Sequence, residues 1–321
     1  MRAAVFHKYG SPDVLELMEV DTPVPGDDQV LVRVHAASVN PVDWHRMRGL
    51  PFFIRALTGL TKPKNTGLGA DLAGRVEAVG RNVTQFRPGD DVFGMSIRTL
   101  AEYVRVAQDG VVPKPANVTF EQAAAVPVAA STALQGLRDK GHIQSGQRVL
   151  INGAAGGVGT FAVQIAKSFG ADVTGVCSTR NVDMVRSIGA DHVIDYTKED
   201  FTQAQQRYDI ILDMAGAHAF SECRRVLGPT GILVLVGAAE GGGLGGLART
   251  LAGIVVSRFA SQKMVSFLTK RSKDDLVFLK GLLETGKVTP VIDRQYPLDE
   301  VRKAIGYLEE GHARGKVIIT I

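Results

Sequence analysis

Up to about Pro115 apolar residues alternate with polar ones in short runs, as in QVLVRVHAASV (Gln29 to Val39) and GRVEAVG (Gly74 to Gly80), cut by Gly, Pro and Asp. A period of two broken by turn formers predicts a mostly β region. Between about Thr119 and Gly286 the texture changes to apolar strands separated by stretches with apolar positions at helical spacing. That is the pattern of βαβ units around a parallel sheet. The expected strands are Arg148 to Asn152, Asp172 to Cys177, His192 to Asp195, Asp209 to Asp213, Ile232 to Gly237 and Met264 to Leu268. Helices are expected over Val158 to Phe169, Val182 to Ile188, Ala219 to Leu227, Gly245 to Phe259 and Lys273 to Thr285. The predicted fold class is therefore α/β, a doubly wound, six-stranded parallel sheet beside a mostly β domain. After Gly286 the tail DRQYPLDEVRKAIGYLEEGHARGKVIITI reads strand, helix, strand and is expected to return to the first domain. The expected domains are residues 1–120 with 288–321, and residues 121–287.

Composition narrows the partners. A chain of 321 residues with 45% hydrophobic content can bury two cores without extra staples. The excess of 37 Lys and Arg over 33 Asp and Glu is spread along the chain. With no basic stripe, nucleic acid is not an expected partner. The longest apolar run, Leu244 to Phe259, is interrupted by Arg249 and Arg258, and MRAAVFHKYG lacks a signal-peptide core, so no membrane partner is expected. Two cysteines, Cys177 and Cys223, cannot build a disulfide framework, which points to a reducing compartment and a cytoplasmic location.

The most specific motif is VLINGAAGGVGTFAVQIAKSFGA, Val149 to Ala171, a strand running through a Gly-rich turn into an amphipathic helix. Ala154, Gly156 and Gly159 fill a G/A-x-G-x-x-G spacing, with Gly153, Gly157 and Val158 in the same turn. Such a turn lets the backbone approach a pyrophosphate and sets it at the helix N-terminus. A dinucleotide that needs a free ribose 2′-hydroxyl is normally met by Asp or Glu at the end of the second strand. This chain reads GVCSTRN there, so Ser178, Thr179 and Arg180 can donate to a 2′-phosphate, with no carboxylate at that strand end and Asp172 at the opposite one. The expected cofactor is NADPH.

Four blocks, AASVNPVDWHRMRG (Ala36 to Gly49), LGADLAGRVEAVGRNVTQFRPGDDVFG (Leu68 to Gly94), AAAVPVAASTALQGL (Ala123 to Leu137) and INGAAGGVGTFAVQIAK (Ile151 to Lys167), together with HARGKVIITI, carry a likeness. Over nearly the whole chain they resemble the quinone oxidoreductase group of the medium-chain dehydrogenase/reductase superfamily. The resemblance implies a GroES-like catalytic domain and a Rossmann domain. It places nicotinamide-side contacts on Asn40 and Thr132, 2′-phosphate contacts on Ser178 and Tyr196, a backbone contact on Gly237, and Lys316 near the cofactor. Each side chain also has a structural reading: Asn40 steadying the turn before Pro41, Thr132 capping a helix, Tyr196 as a half-buried anchor.

The zinc alcohol dehydrogenases of that superfamily would have a Cys ligand near Ser38 and a His ligand near Ala70. Here Ser38 and GAD stand instead, and two cysteines cannot form a structural zinc lobe, so no metal is expected. Without a Lewis acid a simple alkoxide is poorly stabilised, whereas a quinone or an α,β-unsaturated carbonyl spreads the charge left by hydride onto an oxygen that a few donors hold. Asn40, Asp43 and His45 are the candidates to line that site; some members of the group have Tyr where His45 stands. Gly49 to Lys64 could form a substrate lid or an ordinary packed loop, and Asp71 is expected to organise a turn. Enoyl-thioester reduction is one alternative activity, and an NADPH-binding redox sensor or scaffold with little turnover is another. A homodimer paired through the edge of the Rossmann sheet, at Met264 to Leu268, is expected.

Overall fold

The computed structural model describes residues 1–52, 55–216, 218–236 and 261–321. The chain divides into two compact units, Met1–Ala129 with Arg271–Ile321, and Ala130–Lys270.

The first unit is built on a sheet in the order Ile292–Pro297, Lys316–Thr320, Gln29–Val39, Asp71–Val79, Asp91–Met95, Val111–Pro113, and strand Tyr103–Ala107 also pairs with Gln29–Val39. Alternation in Gln29–Val39 sends Val30, Val32 and Val34 into a core with Leu72, Val92 and Val317. Past the register shift between Val34 and Ala36 the strand pairs with Lys316–Thr320 on one side and Asp71–Val79 on the other, so Ala36 to Val39 are all buried. The tail is strand, helix, strand: helix Val301–Glu309 buries Val301, Ala304 and Ile305, a helical stripe on the strands flanking it. Helix Lys273–Glu284 also groups with this unit. It packs near Val111–Pro113, and its C-terminal Leu283 carbonyl accepts Asn117 Nδ2 at 2.9 Å. The changeovers at 129/130 and 270/271 thus differ from the expected boundaries near 120 and 288, because this helix was assigned by alternation with strands rather than by what its leucines cover.

The second unit is a six-stranded parallel sheet in the order His192–Asp195, Asp172–Cys177, Arg148–Asn152, Tyr208–Asp213, Leu227–Val236, Lys263–Phe267. The first three elements match the expected strands to the residue. The order reverses direction between Arg148–Asn152 and Tyr208–Asp213, the switch point at whose carboxyl ends parallel sheets bind ligands. Leu227–Val236 begins five residues before the expected strand, since Leu227 already pairs with buried Tyr208 ahead of a register irregularity. The last strand pairs only through Phe267, which leaves Leu268 beyond it 75% exposed. Helices Gly157–Ser168, Val182–Ser187 and Phe220–Val226 lie within a residue or two of expectation. The expected helix Gly245 to Phe259 and Gly237 lie outside the described residues. No described helix is long and apolar enough to cross a membrane.

Phe161 is fully buried in helix Gly157–Ser168, against the sheet that carries the glycine turn. Phe161→Ala should lower stability by about 3–5 kcal/mol, read as a fall in the urea midpoint with unchanged slope.

Candidate functional site

The glycine turn leaves strand Arg148–Asn152 at the switch point. Gly153 takes a positive φ of 90°, which lets both its N–H and that of Ala154 donate to the Val176 carbonyl of the next strand, at 3.2 and 3.0 Å. A Cβ on Gly159 would lie 2.1 Å from the Gly153 carbonyl oxygen, so only glycine lets the helix close on the turn. Gly156 is the extended N-cap, Gly157 opens the helix and Val158 follows in its first turn. The first-turn amides have no acceptor within the helix and are free for an anion. Asn152 Nδ2 donates to Asp213 Oδ1 at 2.8 Å, and the same oxygen accepts the N–H groups of Ala215 and Gly216 at 3.0 Å each. The exits of the two central strands are thereby tied together, while Asp213 Oδ2 is buried with no partner among the described residues. These features fit a dinucleotide pyrophosphate.

At the end of strand Asp172–Cys177, Ser178 is half-buried and Arg180 exposed. The absence of a carboxylate there holds along the chain but not in space. Asp195, ending the neighbouring strand in register with Cys177, accepts Thr179 Oγ1 at 2.6 Å, Thr197 N at 3.0 Å and Thr197 Oγ1 at 2.8 Å, with Lys198 Nζ 3.3 Å away. The Thr179 hydroxyl first, with these other donors, holds Asp195 well below the usual carboxylate range. Thr179 therefore spends its one proton inside the protein. Tyr196 is 62% exposed, a surface ring rather than a half-buried anchor. Thr132 lies inside helix Pro127–Leu134, not at a cap, with its hydroxyl 2.5 Å from that of Thr269. One turn on, Gln135 exchanges hydrogen bonds with the backbone of Lys270, at 2.7 and 3.0 Å. Thr132 and Gln135 together fix the chain leaving the edge strand.

The first unit holds a buried charge network. Asp71 opens strand Asp71–Val79 and is fully buried; its Oδ1 accepts Val128 N–H at 2.7 Å, and its Oδ2 accepts Ser38 Oγ at 2.6 Å and Asn40 Nδ2 at 2.9 Å. Lys316 Nζ, 3% exposed, donates to Asn40 Oδ1 at 2.6 Å and lies 3.4 Å from Asp71 Oδ2. At an effective dielectric of about 20 the attraction at that distance is roughly 5 kcal/mol, close to the desolvation cost, so the added hydrogen bonds decide whether the pair is tolerated. Burial pushes the Lys316 ammonium below its ordinary value, and Asp71 partly restores it. Asp71 is thus a hub joining three strands and two helices, not a turn former.

Lysine has only donors and carboxylate only acceptors, so the Asn40 amide between them has one allowed orientation. Asn40 also caps helix Pro41–Arg48, where its N–H donates to Asp43 Oδ2 at 2.8 Å. Asp43 Oδ1 accepts Gly69 N–H at 2.9 Å, and Asp43 is wholly buried. With both oxygens engaged it positions the helix and the Gly69 loop. His45 stacks on Trp44 at 3.7 Å, and its Nδ1 lies 3.2 Å from the Leu50 carbonyl. A carbonyl only accepts, so Nδ1 carries a proton toward Leu50. Of the segment 49–64, Phe53 and Ile54 lie outside the described residues. Arg55 donates to the Gly49 and Arg48 carbonyls and lies 4.4 Å from the ring centres of both Tyr9 and Phe52, an ordered clasp on the helix end. The sequence did not single out Asp195, Asn152 or Asp213; all three end strands at the sheet's carboxyl edge, the one signal that could have found them.

Residues 26–116 match the family model of an alcohol dehydrogenase GroES-like domain, and residues 188–319 that of a zinc-binding dehydrogenase. A 2-methylene-furan-3-one reductase from Solanum lycopersicum is 36% identical over 99% of this chain and 79% of that protein. An NADPH-dependent alkenal/one oxidoreductase, chloroplastic, from Arabidopsis thaliana is 34% identical over the same shares. The solved structure of a quinone oxidoreductase from Coxiella burnetii superposes with a TM-score of 0.89 at 31% identity, covering 100% of this chain and 99% of that one. Where a zinc dehydrogenase would present a thiolate, this chain has the Ser38 hydroxyl, hydrogen-bonded to Asp71.

Removing the Asp71 charge should leave Lys316 buried without a counter-ion. Asp71→Asn is expected to cost about 3–5 kcal/mol in urea unfolding, and adding Lys316→Met should recover part of that loss. Burial pushes the Asp43 carboxyl up from 3.8 to about 6, against the pull of the two N–H donors. Between those values the folded protein holds a proton that the unfolded chain has released. Its stability therefore falls as pH rises through the window, by about 3 kcal/mol. Urea unfolding at stepped pH should show that slope, and Asp43→Asn should flatten it.

Proposed function

The chain belongs to the zinc-independent quinone oxidoreductase-like group of the medium-chain dehydrogenase/reductase superfamily, and from that premise we propose that it reduces quinones or α,β-unsaturated carbonyls with NADPH. The observation that carries the reading is the Gly153–Gly159 turn at the switch point, followed at the next strand end by Ser178 and Arg180. Gly153, Ala154, Gly156, Gly157, Val158 and Gly159 would hold the pyrophosphate, and Ser178 and Arg180, with Tyr196, the 2′-phosphate. When bound, NADPH supplies the hydride.

The chain's own part is positioning and charge. The Asn40 amide, locked by Lys316 and Asp71, is the residue we retain at the reacting end, with Thr132 as a second contact. Asp43, sealed by two N–H donors, offers no acid in place of the Tyr that some members of the group have. The acceptor is therefore one whose reduced form takes its proton from solvent, as an enolate or a hydroquinone anion does. Both cysteines are buried, and burial pushes the Cys177 thiol up to about 11 and that of Cys223 to about 12. Inert thiols suit the reducing cytoplasm we assign. Lys263–Phe267 stands last in its sheet, with exposed Leu268 beside it, and we assign it the homodimer interface.

The test is loss of nicotinamide absorbance on mixing NADPH with quinones, enones and alkenals, with NADH and a chelator as controls. Chelator-insensitive turnover favouring NADPH is expected, and Asn40→Ala should lower kcat/KM about 10–100-fold, equivalent to about 1.4–2.7 kcal/mol. Tight NADPH binding without turnover on any acceptor would overturn the reading in favour of a sensor or scaffold. Sedimentation at micromolar concentration should give a dimer.

A further inference from the structure

The fourth side chain of the Ser178 turn is Asn181, a buried residue (7% exposed) at the N-cap of helix Val182–Ser187. Asparagine at that position ordinarily turns its carbonyl back onto a first-turn N–H. Here the side chain makes no such bond. Instead Asn181 Nδ2 donates to Ser178 Oγ at 3.1 Å, while Asn181 N–H donates to the Ser178 carbonyl at 2.9 Å. Asn181 Oδ1 is buried with no partner among the described residues. The reverse amide orientation would bury two unpaired N–H groups in place of one carbonyl, a worse outcome, so the donor faces Ser178.

Two neighbouring hydroxyls are thereby set to opposite tasks. Thr179 gives its proton to Asp195 at 2.6 Å. Ser178 receives a proton at its oxygen, and its own O–H is left for an acceptor outside this turn. We propose that Asn181 is a positioning residue for dinucleotide selection, holding the Ser178 hydroxyl as a donor to the 2′-phosphate. The inference rests on NADPH being the cofactor and on Ser178 meeting its 2′-phosphate. Asp195 assists by removing Thr179 from competition and by having its own charge met by Thr197 and Lys198.

The experiment measures kcat/KM for NADPH and NADH in Ser178→Ala, Asn181→Ala and the isosteric Asn181→Asp, with inhibition by adenosine 2′,5′-bisphosphate as a probe of the phosphate alone. An aspartate would accept the Ser178 proton and add negative charge, reversing the hydroxyl. Expected is a fall in the NADPH/NADH ratio of about tenfold for Ser178→Ala and Asn181→Ala and about a hundredfold for Asn181→Asp. The loss should fall more heavily on NADPH than on NADH, and inhibition should weaken in parallel with the NADPH loss. A loss of ratio in Ser178→Ala with both Asn181 variants unchanged overturns the inference and leaves the NADPH reading intact. An unchanged ratio in all three removes Ser178 from the phosphate site and the inference with it. Equal losses with NADPH and NADH in the Asn181 variants overturn it too, since they reduce Asn181 to a structural role.

Discussion

An ammonium and a carboxylate buried side by side each give up several kcal/mol of hydration, and a core tolerates them only when every remaining lone pair and proton finds a partner. Lys316 and Asp71 meet that condition through Ser38, Asn40 and the Val128 amide. The donors come from the end of one strand, the cap of one helix, the start of a second helix and the head of the last strand. The meeting point fixes the strand registers around it: a slip of one residue would turn Asp71 to the opposite face and leave Lys316 alone in the core. The same condition fixes the Asn40 amide, so the need to balance one buried charge pair also sets the side chain expected at the reacting end of the cofactor.

The two units divide the chemistry by different means. In the second, backbone does the recognition: glycines bring amides close, and Asn152 and Asp213 hold the strand exits against each other. In the first, side chains are prearranged: Lys316 and Asp71 hold the Asn40 amide in one orientation.

The glycine turn was legible because its demands are local. Gly153 needs a positive φ and Gly159 a missing Cβ, and both requirements act within seven residues of chain. The strands beside it were legible for the same reason, their apolar runs being bounded by turn formers. Asp71 was misread because its partners stand 33, 57 and 245 residues away, and nothing in LGAD distinguishes a hub from a turn. Asp195 escaped notice because strand pairing, not sequence, brings it to Thr179. Helix Lys273–Glu284 shows the same limit for packing. Its leucine stripe marked it as a helix, and only the structure shows that the stripe belongs to the first unit.

The pairing of Lys316–Thr320 with Gln29–Val39 has a bearing on biosynthesis. A ribosome releases Asp71 long before Lys316, and the entire second unit is made in the interval. The Rossmann sheet has all its strands from one continuous stretch, whereas the first sheet needs the last strand of the chain. The first sheet is complete only once that strand is made, when one lysine turns a carboxylate that water would otherwise hydrate into a structural fastener.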